Sequence, residues 1–284
     1  MPLFKYMPEV RIDDILVLNK IRFTQPICFN DPFECKLTID NMASDEDIQN
    51  FHKENFEKLL KEEYDKNNAI NSVLSYEQFL LLSETKKESI LDSLKEINSS
   101  ECFIQQLRNK FEEILNYEWG ILSLTTSKDN LLMWAHYANE HKGFTVEFSE
   151  KSNFFHKRED KKSFFNHLHK VNYSSYRDYK DLSKKQFEEV FLTKSIEWEY
   201  EEEYRVFKQL SSANEVKNEN IYLFNFPKDM IKAIYCGCNM DKVHKEKILN
   251  IISNDIELSH VKLYYGEIST KYYKINFNEI NKVT

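Results

Sequence analysis

From Pro32 to Gly120 no glycine or proline interrupts the chain, and apolar residues recur at helical spacing. Ile48, Phe51, Phe56, Leu59 and Leu60 mark one stripe. Phe79, Leu80, Leu82, Ile90, Leu91 and Leu94 mark a second, and Phe103, Leu107, Phe111 and Ile114 a third. Charged residues fill the gaps, so the spacing predicts three or four amphipathic helices over residues 44–117. To either side the period drops to two. Residues 20–24, 121–126, 144–148, 171–173, 204–207, 221–224, 231–236, 261–265 and 272–277 are expected as strands, with helices over 184–194 and 241–252. Helices interspersed irregularly among strands predict an α+β fold, not a repeating βαβ one. The expected organisation is one sheet-centred domain over 1–284, with 44–117 inserted as a helical subdomain whose default role is structural or partner-binding.

Two segments concentrate chemistry. The first, Trp134-Ala-His-Tyr-Ala-Asn-Glu-His-Lys-Gly143, reads as a short helix stopped by a glycine and followed by a strand. Asp129 is expected to cap its start, and Gly143 to end it in the left-handed conformation. Leu131, Leu132, Ala135 and Ala138 would face the core. Trp134, Tyr137 and His141, at i, i+3 and i+7, would share another face and, with His136, line a polar pocket. The alternative is that the aromatics are core residues with their polar tips bonded. The second segment, Glu197-Trp-Glu-Tyr-Glu-Glu-Glu-Tyr-Arg205, holds five glutamates in seven positions. If it leads into a strand, Glu201, Glu203 and Arg205 share a face, and the arginine would keep its neighbouring carboxylate ionised. Such carboxylates suit acid/base work, ribose binding or metal binding. The alternative is a solvated acidic turn with Arg205 paired to Glu201 at i+4. Asn30-Asp-Pro32 adds strong turn chemistry near the start.

Composition narrows the classes. With 284 residues, 41% apolar and 14% aromatic, the chain can bury a sizeable core. No export signal or membrane-spanning run is found, and the five cysteines are odd in number, so reduced thiols and a cytoplasmic location are expected. The net charge of −8 argues against broad nucleic-acid binding, although Lys157, Arg158, Lys161, Lys162, Lys184 and Lys185 could form a local basic patch. Glycine occurs at 120, 143, 237 and 266, which leaves no room for a G-x-G-x-x-G fingerprint, a phosphate loop or a G-x-S-x-G elbow. Cys236-Gly-Cys238 has no second pair and reads as a strand end, so no metal site is expected.

Three ordered motifs carry a resemblance: Phe29-Asn-Asp-Pro-Phe-Glu34, then Trp134-x-x-Tyr137 with His141-x-Gly143-Phe144, then Lys194-x-x-x-Trp198-x-x-Glu201-x-Glu203-x-Arg205. In this order they resemble the bacterial family called domain of unknown function 2971, a label that implies no activity.

A looser motif order is similar to ADP-ribosyltransferases of the arginine–serine–glutamate type: Arg22 on an early strand, Ser123-Leu-Thr-Thr-Ser127 in place of Ser-Thr-Ser, then Glu201-x-Glu203. That resemblance implies NAD as substrate, with Arg22 on a phosphate and Ser123 and Thr125 bracing the site. The final glutamate, Glu203, would grip the ribose, and Trp134 and Tyr137 would stack a ring. A role in defence or as a toxin is the expectation that goes with it. Two rivals stay open. One is a metal-dependent nuclease using Asp31, Glu34, Glu201 and Glu203, with His136 or His141 as base. The other is a non-enzymatic sensor whose partner surface is the helical stretch.

Overall fold

Alternation along the first strand fixes how the main sheet is covered. In β1 (Pro2–Met7), Leu3 and Met7 join one buried cluster while Phe4 and Tyr6 join another, so both faces of the sheet are packed. The computed structural model describes residues 1–156, 164–165, 167–177 and 184–280. Lys157, Arg158, Lys161 and Lys162 lie outside the described residues, as do the side chains of Lys184 and Lys185.

The strands that follow are β2 (Lys20–Phe23), β3 (Trp119–Thr125), β4 (Phe144–Ser149), β5 (His169–Lys170), β6 (Asn172–Ser174) and β7 (Thr193–Ser195). After these come β8 (Glu203–Gln209), β9 (Glu215–Lys217), β10 (Ile221–Asn225), β11 (Ile231–Cys236), β12 (Lys262–Ile268) and β13 (Ile275–Glu279). Eight strands form one sheet in the order β13-β12-β11-β4-β1-β3-β8-β5, with β2-β10-β9 and β6-β7 as smaller sheets. Only β11–β12 is parallel within the large sheet, so the architecture is α+β.

The large sheet opens in its middle. β1 pairs with β4 at six positions and β3 with β8 at seven, but β1 and β3 share the single pair Phe4↔Thr125. Farther along β3, Ile121 exchanges both backbone bonds with Thr24, just beyond β2. The side chain of Lys5 fills part of the missing ladder, its Nζ donating to the Ser123 carbonyl at 2.8 Å.

The helices are α1 (Ile12–Leu16), α2 (Asp45–Lys66), α3 (Asn68–Asn71), α4 (Tyr76–Glu84), α5 (Lys87–Asn98), α6 (Glu101–Glu118), α7 (Leu131–Tyr137), α8 (Lys184–Leu192) and α9 (Lys242–Asn254). The chain divides into two compact units. The first comprises Met1–Cys35, Ile114–Ser175 and Leu192–Thr284 and holds all thirteen strands among the described residues. The second comprises Lys36–Glu113 and Tyr176–Phe191.

In that second unit Ser44 caps α2 by accepting the Asp47 N–H, and Ser75 and Gln78 form a reciprocal capping box on α4. Leu37, Ile39, Ile104 and Val190 form a small core with Leu107 and Phe111 packed on it. The buried Asn98 amide accepts from the N–H groups of Met42 and Ala43 and donates to the Ala43 carbonyl, each at 3.0 Å. Among the described residues no helix is long and apolar enough to cross a membrane.

Candidate functional site

Where β1 and β3 part, the first unit encloses a cavity of about 460 Å³, within the range of small-molecule sites. Its lining draws on β1, β2, β3 and α7, the turn at Phe29–Asn30, and the segment from Lys194 to Glu203.

The acidic run divides on the structure. Glu197, Glu199 and Glu202 are exposed, whereas Glu201 and Glu203 are buried. A 3₁₀ helix covers Ile196–Glu201, and Glu202 then adopts φ 44° and ψ 48°, a left-handed turn that non-glycine residues seldom occupy. Only then does β8 begin. The kink carries both buried carboxylates to the cavity wall.

Two cations bind the carboxylates together. Lys194 Nζ donates to Glu201 Oε2 at 2.6 Å and to Glu203 Oε2 at 3.3 Å, and lies 3.6 Å from Glu34. Arg205, wholly buried, donates through Nε to Glu203 Oε1 at 2.8 Å and through Nη2 to Glu203 Oε2 at 3.0 Å. It also pairs with Glu34. Arg205 therefore bonds Glu203 and Glu34, not Glu201. Burial alone would lower the Lys194 pKa, but the Glu203 and Glu201 charges overcome it and hold the ammonium above the ordinary lysine value. Burial pushes the Glu203 carboxyl up, against the pull of Lys194.

The two carboxylates differ in what remains open. Glu203 accepts twice from Arg205 and once from Lys194, which fills three of the roughly four acceptor positions of a carboxylate. Glu201 accepts from Lys194 and from the Tyr137 hydroxyl at 2.6 Å, which leaves acceptor positions for a ligand. Glu201 therefore has more acceptor capacity left for a ligand hydroxyl than Glu203 has.

Of the residues singled out in the sequence, Arg22, Asn30, Ser123, Thr125, His136, Tyr137, Glu201 and Glu203 line this cavity. Asn30 donates to the Tyr137 hydroxyl at 3.0 Å. Thr125 Oγ1 accepts the Ser127 N–H, and the buried Arg22 Nε has no hydrogen-bond partner.

Four others lie elsewhere. Trp134 is fully buried, bonds the Lys128 carbonyl through Nε1 at 2.9 Å and meets Tyr6 edge-on, so no ring face remains for a ligand. His141 lines a separate cavity with Cys238 and Tyr272. α7 ends at Tyr137 and Asn139, Glu140 and His141 all have positive φ, so the i+7 spacing never forms. Arg205 sits outside the cavity lining. So does Asp31, whose Oδ1 accepts the Phe33 N–H and whose charge supports Arg205.

Two local expectations also change. Asn130, not Asp129, caps α7, accepting from the N–H groups of Leu132 and Met133. Gly143 has no positive φ; a Cβ there would stand 2.1 Å from the Met7 carbonyl oxygen, so close approach to β1 requires the glycine.

Lys5 and Lys194 complete the site together with Glu34, which the sequence offers only as a metal ligand of the nuclease alternative. Lys194 and Glu34 stand within the quoted motifs, and their paired charges were the available signal. Lys5 offered none, since a lone lysine in a strand ordinarily reaches solvent.

No curated protein and no solved structure matches the chain. Residues 133–206 match the model of a family described as "Protein of unknown function (DUF2971)". The match takes in α7 from Met133 onward, Lys194, Glu201, Glu203 and Arg205 and leaves the Phe29-to-Glu34 motif outside it. The resemblance carried by the ordered motifs is therefore to this family, through the motifs from Trp134 to Arg205.

Proposed function

We propose that the cavity between β1 and β3 binds NAD and that the protein transfers ADP-ribose from it. The observation that carries this reading is the meeting of Arg22, Ser123 and Glu201 at one opening in the sheet, from three distant parts of the chain. Arg22 brings an unused buried donor suited to a phosphate oxygen. Glu201 brings a carboxylate, oriented by Tyr137 and Lys194, with acceptor capacity for a ribose hydroxyl. Glu203, fixed by Arg205 and Lys194, stands beside it.

In the reaction, the bond from ribose C1 to the nicotinamide nitrogen breaks and its electron pair leaves with nicotinamide. Positive charge develops on the ribose, where a preorganised carboxylate lowers the barrier. An acceptor oxygen or nitrogen then bonds to C1 and gives up its proton to His136, an exposed imidazole at the cavity lining beside Tyr137. Tyr137, half-buried, offers a wall for a ring.

The nuclease alternative is less well supported. A divalent ion among Glu34, Glu201 and Glu203 would have to displace Lys194 and Arg205, which already bridge them.

Incubation with NAD labelled in its adenylate half tests the reading. Nicotinamide release with label appearing on protein or nucleic acid supports it. Release without transfer would reduce it to NAD hydrolysis, and no release from a folded preparation offered protein, nucleic acid and water as acceptors would overturn it.

A further inference from the structure

The other cations lining the cavity have carboxylate partners. Arg11 pairs with Asp14 at 2.9 Å, Lys20 with Glu215, and Lys194 with Glu201. Lys5 and Arg22 differ. Among the described residues neither lies in ion-pair contact with a carboxylate, yet both line the cavity at the point where the sheet opens. Lys5 gives one of its three N–H donors to the Ser123 carbonyl, leaving two. Arg22 keeps its Nε buried and unbonded. A buried donor without an acceptor is costly, and an oxyanion beside Arg22 and Lys5 would supply that acceptor.

We propose that Lys5 of β1 and Arg22 of β2 form an oxyanion subsite on the wall of the cavity between β1 and β3, built for the phosphate groups of a diphosphate-bearing ligand. Lys5 contributes a point charge and Arg22 a planar donor set, the two usual means of holding phosphate oxygens. The subsite deepens the reading above, in which the diphosphate belongs to NAD, but its binding energy does not depend on the glycosyl chemistry.

The electrostatics agree with this arrangement. Burial above all lowers the Lys5 ammonium, to about 8 once the opposing pull of Glu203 and Glu201 and the smaller push of Arg22 and Lys194 are included. An anion on the Lys5 side would restore the proton. Affinity should therefore be highest below that pH and fall above it.

Calorimetric titration of the full chain with inorganic pyrophosphate tests the subsite. The wild type should bind at pH 7, Lys5→Met and Arg22→Met should each weaken binding at least about tenfold, and Lys5→Arg should stay within a few-fold of the wild type. Between pH 7 and 9 the wild type should lose affinity more steeply than Lys5→Arg, which cannot lose its charge. A wild type that does not bind, or binding left intact in Lys5→Met, would overturn the proposal.

Should Lys5→Met fail to fold, acylation of Lys5 in the wild type, followed by mass spectrometry, replaces it. Saturating pyrophosphate should slow that acylation several-fold, and an unchanged rate would overturn the proposal. Nicotinamide release plays no part in these readouts, so the subsite and the transferase reading can fail separately.

Discussion

The Tyr137 hydroxyl donates a 2.6 Å hydrogen bond to Glu201 from 64 positions away in the chain, while accepting one from Asn30. With Lys194 on the other oxygen of Glu201, this forms a continuous chain of bonds through three separate sequence motifs. The phenol is thereby a positioning group for a buried carboxylate. Tyr137→Phe keeps the ring and removes both bonds. A loss of about 1–2 kcal/mol is expected, read as a lower urea midpoint with an unchanged slope. An unaltered midpoint would mean that the bond adds nothing to the folded state.

Lys194 has a larger structural share. Lys194→Met would leave Glu201, Glu203 and Glu34 facing one another with Arg205 as the remaining cation, at a cost of about 3–5 kcal/mol. The pH dependence has a definite sign. Lys194 is raised above its usual 10.5, so its contribution is complete below that value and lost as pH rises through the folded pKa. Tyr137 is also raised, chiefly by burial and then by Glu201, and acts in the same direction above its usual 10.0. Wild-type stability should fall in alkali beyond about pH 10, and Lys194→Met should fall less steeply there. Parallel alkaline melting curves would contradict this.

Gly143 tests the close contact between β4 and the end of β1. Its Cβ would meet the Met7 oxygen at 2.1 Å and Ala138 backbone atoms at 3.0 Å, neither of which can swing aside. Gly143→Ala should therefore cost about 3 kcal/mol, the upper part of the range for overpacking, and should appear as a lowered melting temperature. A variant as stable as the wild type would show that the strands can separate at little cost.

In the second unit, Asn98 ties the turn at Met42–Ala43 by three bonds. Asn98→Ala leaves two N–H groups and a carbonyl without these partners, so a loss of about 2–4 kcal/mol is expected in denaturant unfolding. Asn98→Asp should recover part of it, because a carboxylate can still accept from both N–H groups.

The fold was legible where period and punctuation agreed. The glycine-free stretch with 3.6 spacing holds α2–α6, and alternating runs became β3, β4, β8, β10 and β11 at nearly the expected bounds. Tyr137, Glu201 and Arg22 stand in the quoted motifs, but which lone pairs of Glu201 and Glu203 are occupied does not follow from those motifs, because it depends on Tyr137, Lys194 and Arg205 converging from separate segments. Trp134 follows the core alternative, its indole N–H bonded to the Lys128 carbonyl, and no helix face continues to His141 because the chain turns after Tyr137. Lys5 gained its place from an opening in the sheet, a property of strand pairing over 118 positions that no local pattern encodes.

The most direct measurement is nicotinamide release from NAD by the wild type and by Glu201→Gln, each assayed well below its melting temperature and shown by circular dichroism to be folded. Gln keeps the size of Glu201 and one of its two acceptor oxygens but removes the charge placed against the developing cation. ADP-ribose transfer through Glu201 predicts release by the wild type and a turnover lowered by roughly 10²-fold or more in Glu201→Gln, with a much smaller change in KM. Equal turnover by the two proteins, or no release by the folded wild type, would contradict it.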